Sequence, residues 1–145
     1  MNIRIKNTQK KQRLATRALE TKLGNLLRSI GLHNAELSVL FVGDRAMRSL
    51  NRRYRGKDKT TDVLSFSLRE GAFSHIQPHI LGDIVIAVPA AARQAAEAGH
   101  AVGREIEVLL VHGLLHLLGY DHERSGDEAR RMKRRELQLL KRMAA

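Results

Sequence analysis

An α+β domain is the fold class this sequence predicts, with a mixed four-stranded sheet packed with about five helices. Three observations lead there. The chain has 145 residues and neither a linker-like tract nor an internal repeat, so residues 1–145 form one domain. Four short runs rich in strand formers are interleaved with about five stretches of helical periodicity. One of those stretches, Glu105 to Leu118, is apolar almost all round, as expected of a central buried helix.

The elements read in order as follows. Asn2 to Lys6 alternates with Ile3 and Ile5 on one face, a short strand. From about Lys10 to Ile30 the period becomes helical: Leu19, Leu23, Leu26, Leu27 and Ile30 share a stripe opposite Lys10, Arg13, Arg17 and Arg28, and Gly31 ends the helix. Glu36 to Val42 (ELSVLFV) is a strand, and Gly43-Asp44 caps a helix running to about Tyr54. A polar loop begins at Arg55, and seven basic residues fall between Arg45 and Lys59. Thr61 to Ser67 is the third strand, 69–80 a surface loop, and Leu81 to Ala87 the fourth strand. Pro89 stands at a helix start, where its missing N–H costs nothing, and the Ala-rich segment ends at Gly99. The apolar helix follows from about Val102. Ser125-x-x-Glu128 is a capping box opening the last helix, which runs to about Met143.

Composition narrows the chemistry. There are no cysteines, which excludes a disulfide framework and thiolate metal ligands. Met1 to Lys11 is basic without an apolar centre and no apolar run has membrane-spanning length, so neither a secretory leader nor a membrane partner is expected and the location expected is cytoplasmic. Lys and Arg total 26 against 15 acidic residues, a net charge of +11 that suits a polyanionic partner, nucleic acid above all.

The chemistry concentrates in His112-Gly113-Leu114-Leu115-His116-Leu117-Leu118-Gly119-Tyr120-Asp121-His122. Residues four apart stack on one face of a helix, which brings the His112 and His116 imidazoles together. Gly119 supplies a left-handed terminator, so the chain can turn back and offer His122 to the same ion. A lone histidine on an apolar helix is usually a core residue; three at this spacing around a helix break point to one Zn²⁺ per chain, on His112, His116 and His122, with the fourth position open to water. The same ligand frame occurs in metzincin peptidases, which place Glu directly after the first histidine as general base. Here that position is Gly113, and a peptidase without its base loses roughly 10²–10⁴-fold. A phosphodiester substrate fits better, because a metal ion and a cation together neutralise the charge of its transition state. Arg55, beginning its glycine-containing loop, is the candidate for that cation; Arg55 and His112 are the candidate catalytic residues.

Taken together, HGLLHLLGYDH, Arg55-Gly56-Lys57-Asp58 leading into TDVLSF, and LGDIVIA at 81–87 resemble the bacterial YbeY family of endoribonucleases, in the right order and over nearly the whole chain. The resemblance implies zinc on His112, His116 and His122, a catalytic role for Arg55, and cleavage of single-stranded RNA. It also implies 16S rRNA 3′-end maturation, ribosome quality control with ribosomal partners, and a cytoplasmic location. Two departures stand out. Thr60 replaces a Pro common before Thr-Asp, which loosens the turn into the strand, and the 69–80 loop carries His75 and His79 in place of acidic residues. Two alternatives stay open: a metallopeptidase using strand 81–87 as a sheet edge for an extended peptide, and a non-catalytic ribosome-assembly protein whose zinc staples the C-terminal helices. Lesser candidates are Asp121 as orienter of His122 or cap of the turn, Glu105 as a polar helix-start residue, proton acceptor or holder of a basic partner, and Asp62 and Asp83 as structural acceptors. The run Arg130, Arg131, Lys133, Arg134 and Arg135 suits a phosphate backbone or a solvated face.

Overall fold

A computed structural model describes residues 1–68, 79–120 and 125–144. In chain order its elements are β1 (Asn2–Asn7), α1 (Thr16–Ser29), β2 (Glu36–Val42), α2 (Asp44–Arg55), β3 (Val63–Ser67), β4 (Ile80–Ala87), α3 (Val88–Ala98), α4 (Val102–Leu117) and α5 (Gly126–Ala144). The sheet has the order β1-β2-β4-β3. β1, β2 and β4 are parallel and β3 runs antiparallel along the edge, so the sheet is mixed, as expected. β4 lies inside the sheet. It therefore offers no edge to a peptide, which corrects that part of the peptidase reading.

The pleat divides the core. Val39, Phe41, Ile84 and Ile86 project from one face into a large cluster with Leu23 and Leu27 of α1, Leu110 and Leu114 of α4, and Leu139 of α5. The opposite face carries a smaller cluster in which Met47 of α2 meets Val42, Leu64, Val85 and Ala87. Thus α2 and α4 pack on opposite faces of the sheet. Among the described residues no helix is long and apolar enough to cross a membrane.

Two boundaries differ from the sequence reading by more than one residue, for local reasons. α1 begins at Thr16, not Lys10. The Gln9 side chain donates to the Gln12 carbonyl at 2.7 Å and accepts the Gln12 N–H at 2.9 Å, and such side-chain bonds compete with the first turn of a helix. β3 begins at Val63, because the Asp62 carboxylate takes the Val63 N–H at 2.8 Å and the Gln94 amide at 3.1 Å. Asp62 is thus a structural acceptor. In β4 the register shifts opposite Glu36 and Leu37. The following Gly82 has φ +136°, and a Cβ there would lie 2.1 Å from the Phe66 carbonyl oxygen, so only glycine fits.

The turn into β3 is firm despite Thr60. Buried Asn51 donates to the Lys59 carbonyl at 2.9 Å, Arg48 pairs with Asp58 at 2.9 Å, and the Thr60 hydroxyl reaches Asp44 at 3.4 Å. Asp44 also accepts two bonds from Arg93 of α3, at 2.9 and 3.3 Å. The Arg93 guanidinium holds the Asp44 carboxyl below the usual carboxylate range, more than burial raises it. A depressed folded-state pKa means the stabilisation is complete above the unfolded value and disappears as pH falls through the folded one. Arg93→Ala is therefore expected to lower stability only slightly at neutral pH, the pair being solvent-screened, and to make little difference at the acid end. Urea unfolding at pH 7 and near pH 2.5 checks this.

Candidate metal centre

Every residue that positions the histidines belongs to α4 or to what packs on it. Ile106, Leu110, Val111, Leu114 and Leu115 are fully buried, which fixes the rotation of the helix about its axis. Its C-terminus closes as the sequence suggests. The Tyr120 N–H bonds the Leu115 carbonyl at 3.0 Å, the Gly119 N–H bonds that of His116 at 3.1 Å, and Gly119 has φ +97°. This pair of hydrogen bonds with a left-handed residue satisfies the last carbonyls and ends the helix.

His112 and His116 come together. Their Nε2 atoms are 3.2 Å apart, and the rings meet edge to face with centroids 4.7 Å apart. Two nitrogens bound to one tetrahedral Zn²⁺ at about 2.0–2.1 Å would be about 3.3 Å apart, so the pair fits two corners of such a site. His122, the third expected ligand, lies outside the described residues, as do Asp121 and His75. Among the described residues no third His, Asp or Glu completes a metal-binding group.

Gly113 has a packing reason to be glycine. A Cβ there would stand 2.9 Å from Ile84 Cγ2 and 3.2 Å from the Ser65 hydroxyl. The close approach lets the edge strand fasten to the helix: Ser65 Oγ donates to the Gly113 carbonyl at 3.2 Å and Ser67 Oγ to that of Leu117 at 3.5 Å. The residue after the first histidine points into the sheet, where a peptidase glutamate has no room.

Arg55 is the last residue of α2, ahead of Gly56 in the left-handed conformation at φ +69°. It ends a helix where the sequence suggested the start of a loop, and it lies across the sheet from the imidazoles. Both sides touch the end of β3. Tyr54 meets Phe66 edge to face at 5.3 Å on the α2 side, while Ser67 bonds Leu117 on the α4 side. Beside Tyr54 a groove of about 590 Å³ runs over the sheet to Arg4 and Lys6, with Asp83 exposed in its wall. Glu105 is paired with His100 at 2.8 Å, which suits the reading of it as holder of a basic partner. Arg130, Arg131, Lys133 and Arg134 are exposed along α5.

One residue of the site escaped the sequence reading. Glu136 of α5 is 8% exposed, and its Oε1 is 3.7 Å from His112 Nδ1. The available signal was a carboxylate standing in the apolar stripe Met132, Leu139, Leu140 and Met143.

The family model described as Endoribonuclease YbeY matches residues 4–144. The chain belongs to the YbeY family. A relative from Geobacter sulfurreducens named Endoribonuclease YbeY is 45% identical over 140 residues, which cover 96% of this chain and 93% of that protein. Two others of the same name come from an Anaeromyxobacter species, 50% identical and covering 96% and 70%, and from Aquifex aeolicus, 42% identical and covering 93% and 88%. Among solved structures, the solution structure of a Thermotoga maritima protein superposes with a TM-score of 0.68 at 26% identity, covering 97% of this chain and 88% of the other. Membership of the YbeY family agrees with the fold class expected from the sequence, down to the mixed sheet and five helices.

Proposed function

We propose that this chain is a zinc-dependent endoribonuclease that cleaves single-stranded RNA in rRNA processing, including 16S rRNA 3′-end maturation and ribosome quality control in the cytoplasm. The observation that carries the reading is the pair of imidazoles, 3.2 Å apart at Nε2, on the central helix of a YbeY-family chain. His112, His116 and His122 hold one Zn²⁺ in this reading. When bound, zinc supplies Lewis acidity toward a phosphoryl oxygen and lowers the pKa of water to about 7. The chain supplies the rest. A net charge of +11 gathers the phosphate backbone, so RNA affinity should fall steeply as salt rises. The close packing of Gly113 on Ile84 weighs against a metallopeptidase, since it leaves no space at position 113 for the glutamate that follows the first histidine in the metzincin frame.

Arg55 is the cation of this proposal. It lies on the α2 side of the end of β3, next to the exposed ring of Tyr54, and forms no ion pair among the described residues. An RNA strand crossing the end of β3 can meet Arg55 on one side and the imidazoles on the other. Arg55→Lys keeps the charge and loses the planar fork. It is expected to lower the cleavage rate by on the order of 10²-fold with little change in RNA affinity, whereas Lys57→Ala should weaken binding slightly and spare the rate. Single-turnover cleavage and filter binding on one single-stranded RNA measure both. Cleavage at the parental rate by Arg55→Lys would return Arg55 to the general binding surface.

A further inference from the structure

Glu136 stands where a charge is costly. It sits in the stripe of α5 that docks into the core, between Met132 and Leu139, and a buried carboxylate is tolerated only with partners. It has two. Oε2 is 3.5 Å from Lys133 Nζ, one turn earlier on the same helix, whose side chain is 70% exposed and reaches over from solvent. Oε1 is turned inward, 3.7 Å from His112 Nδ1.

The two nitrogens of His112 are thereby divided. Nε2 faces the Nε2 of His116, and Nδ1 faces the carboxylate. We propose that Glu136 is a positioning residue for the metal centre. It orients the His112 ring and keeps the proton on Nδ1, which leaves the Nε2 lone pair for a divalent cation. This role deepens the zinc reading above and rests on it. Metal-bound histidines regularly give their second N–H to a carboxylate, which fixes the tautomer and raises the basicity of the ligand. At 3.7 Å the contact is an ion-pair distance, and a shift of about half an ångström in the glutamate side chain makes it a hydrogen bond. Because the carboxylate comes from α5, the site is complete only when the C-terminal helix is docked on α4.

Zinc affinity, measured by competition with a chromophoric chelator on the full chain, tests the role without reference to RNA cleavage. Glu136→Gln keeps the shape and loses the charge. It is expected to weaken zinc binding by about 10–100-fold, with Glu136→Ala at least as damaging. Lys133→Ala, on the solvent side of the carboxylate, should stay within about threefold. If the unaltered protein binds no zinc, the metal reading fails and this role with it. If the unaltered protein binds zinc and Glu136→Gln binds it equally well, the metal site stands and the positioning role is overturned. A fall in the thermal midpoint of the metal-free variant without a change in zinc affinity likewise overturns it, since that marks a purely structural carboxylate. Should the variants fail to fold, the nitrogen spectrum of the zinc-loaded, unaltered protein decides: a proton on His112 Nδ1 supports the role, and zinc on Nδ1 overturns it.

Discussion

His116→Ala should leave the chain folded and unable to retain zinc, with RNA cleavage reduced by about 10³-fold or more. Alanine is the best helix former, and the removed ring is only partly buried beside its partner, so α4 keeps its place. What goes is one of two imidazoles whose Nε2 atoms are 3.2 Å apart. A Lewis acid contributes several kcal/mol to a phosphoryl transition state, and about 4 kcal/mol corresponds to the 10³-fold. RNA binding should survive and keep its salt dependence, because it rests on the +11 charge rather than on the metal. His33→Ala and His79→Ala serve as controls and should retain zinc; His100→Ala should retain it too, while losing the bond to Glu105. Metal analysis and cleavage assays on the same preparations separate three readings. Unchanged zinc in His116→Ala means that the site is misassigned. Loss of zinc with cleavage intact means that the metal is not catalytic. An unaltered protein that binds zinc and RNA but cuts nothing is the ribosome-assembly protein with a structural staple.

The elements that could be read in advance are those whose signal is local. β2 and α2 fall where ELSVLFV gives way to Gly43 and Asp44, and α5 opens on a cap in which Ser125 Oγ accepts the Glu128 N–H at 3.1 Å. The break after α4 was legible for the same reason, since Gly119 is a residue that adopts φ +97° without strain. Strand order was not. β4 enters between β2 and β3, and although the unbroken apolar run IVIA suits a strand covered on both faces, nothing in it names the neighbouring strands. Arg55 shows the same limit: its neighbours identify a basic segment, but the face of the sheet that carries α2 follows from which side Met47 buries. Glu136 was legible in principle. It breaks an apolar stripe, but in a helix with so many charges the interruption reads as one more solvated residue.

Gly113→Glu should unfold the protein or cost at least about 4 kcal/mol, and should not create a peptidase. The substitution restores the glutamate that follows the first histidine in the metzincin frame, so a purely sequence-based view expects gain of a general base. The packing gives the opposite answer. The first atom of any side chain at 113 would lie 2.9 Å from Ile84 Cγ2, and Ile84 is fully buried and branched at Cβ, so it cannot swing aside without moving β4. The remaining atoms of a glutamate would enter the main cluster among apolar residues, with a charge and no partner. The bonds from Ser65 and Ser67 to the helix carbonyls would lengthen as α4 lifts from the sheet, loosening the edge strand beside the imidazoles. For a chain of this size 4 kcal/mol lowers the thermal midpoint by about 10 °C or more. Calorimetry of the metal-free protein, together with a casein digestion assay, checks both parts. A midpoint within a few degrees of the parent would show that α4 can lift from β3 and β4 at little cost, and peptide cleavage by the variant would place residue 113 in the site instead of against the sheet.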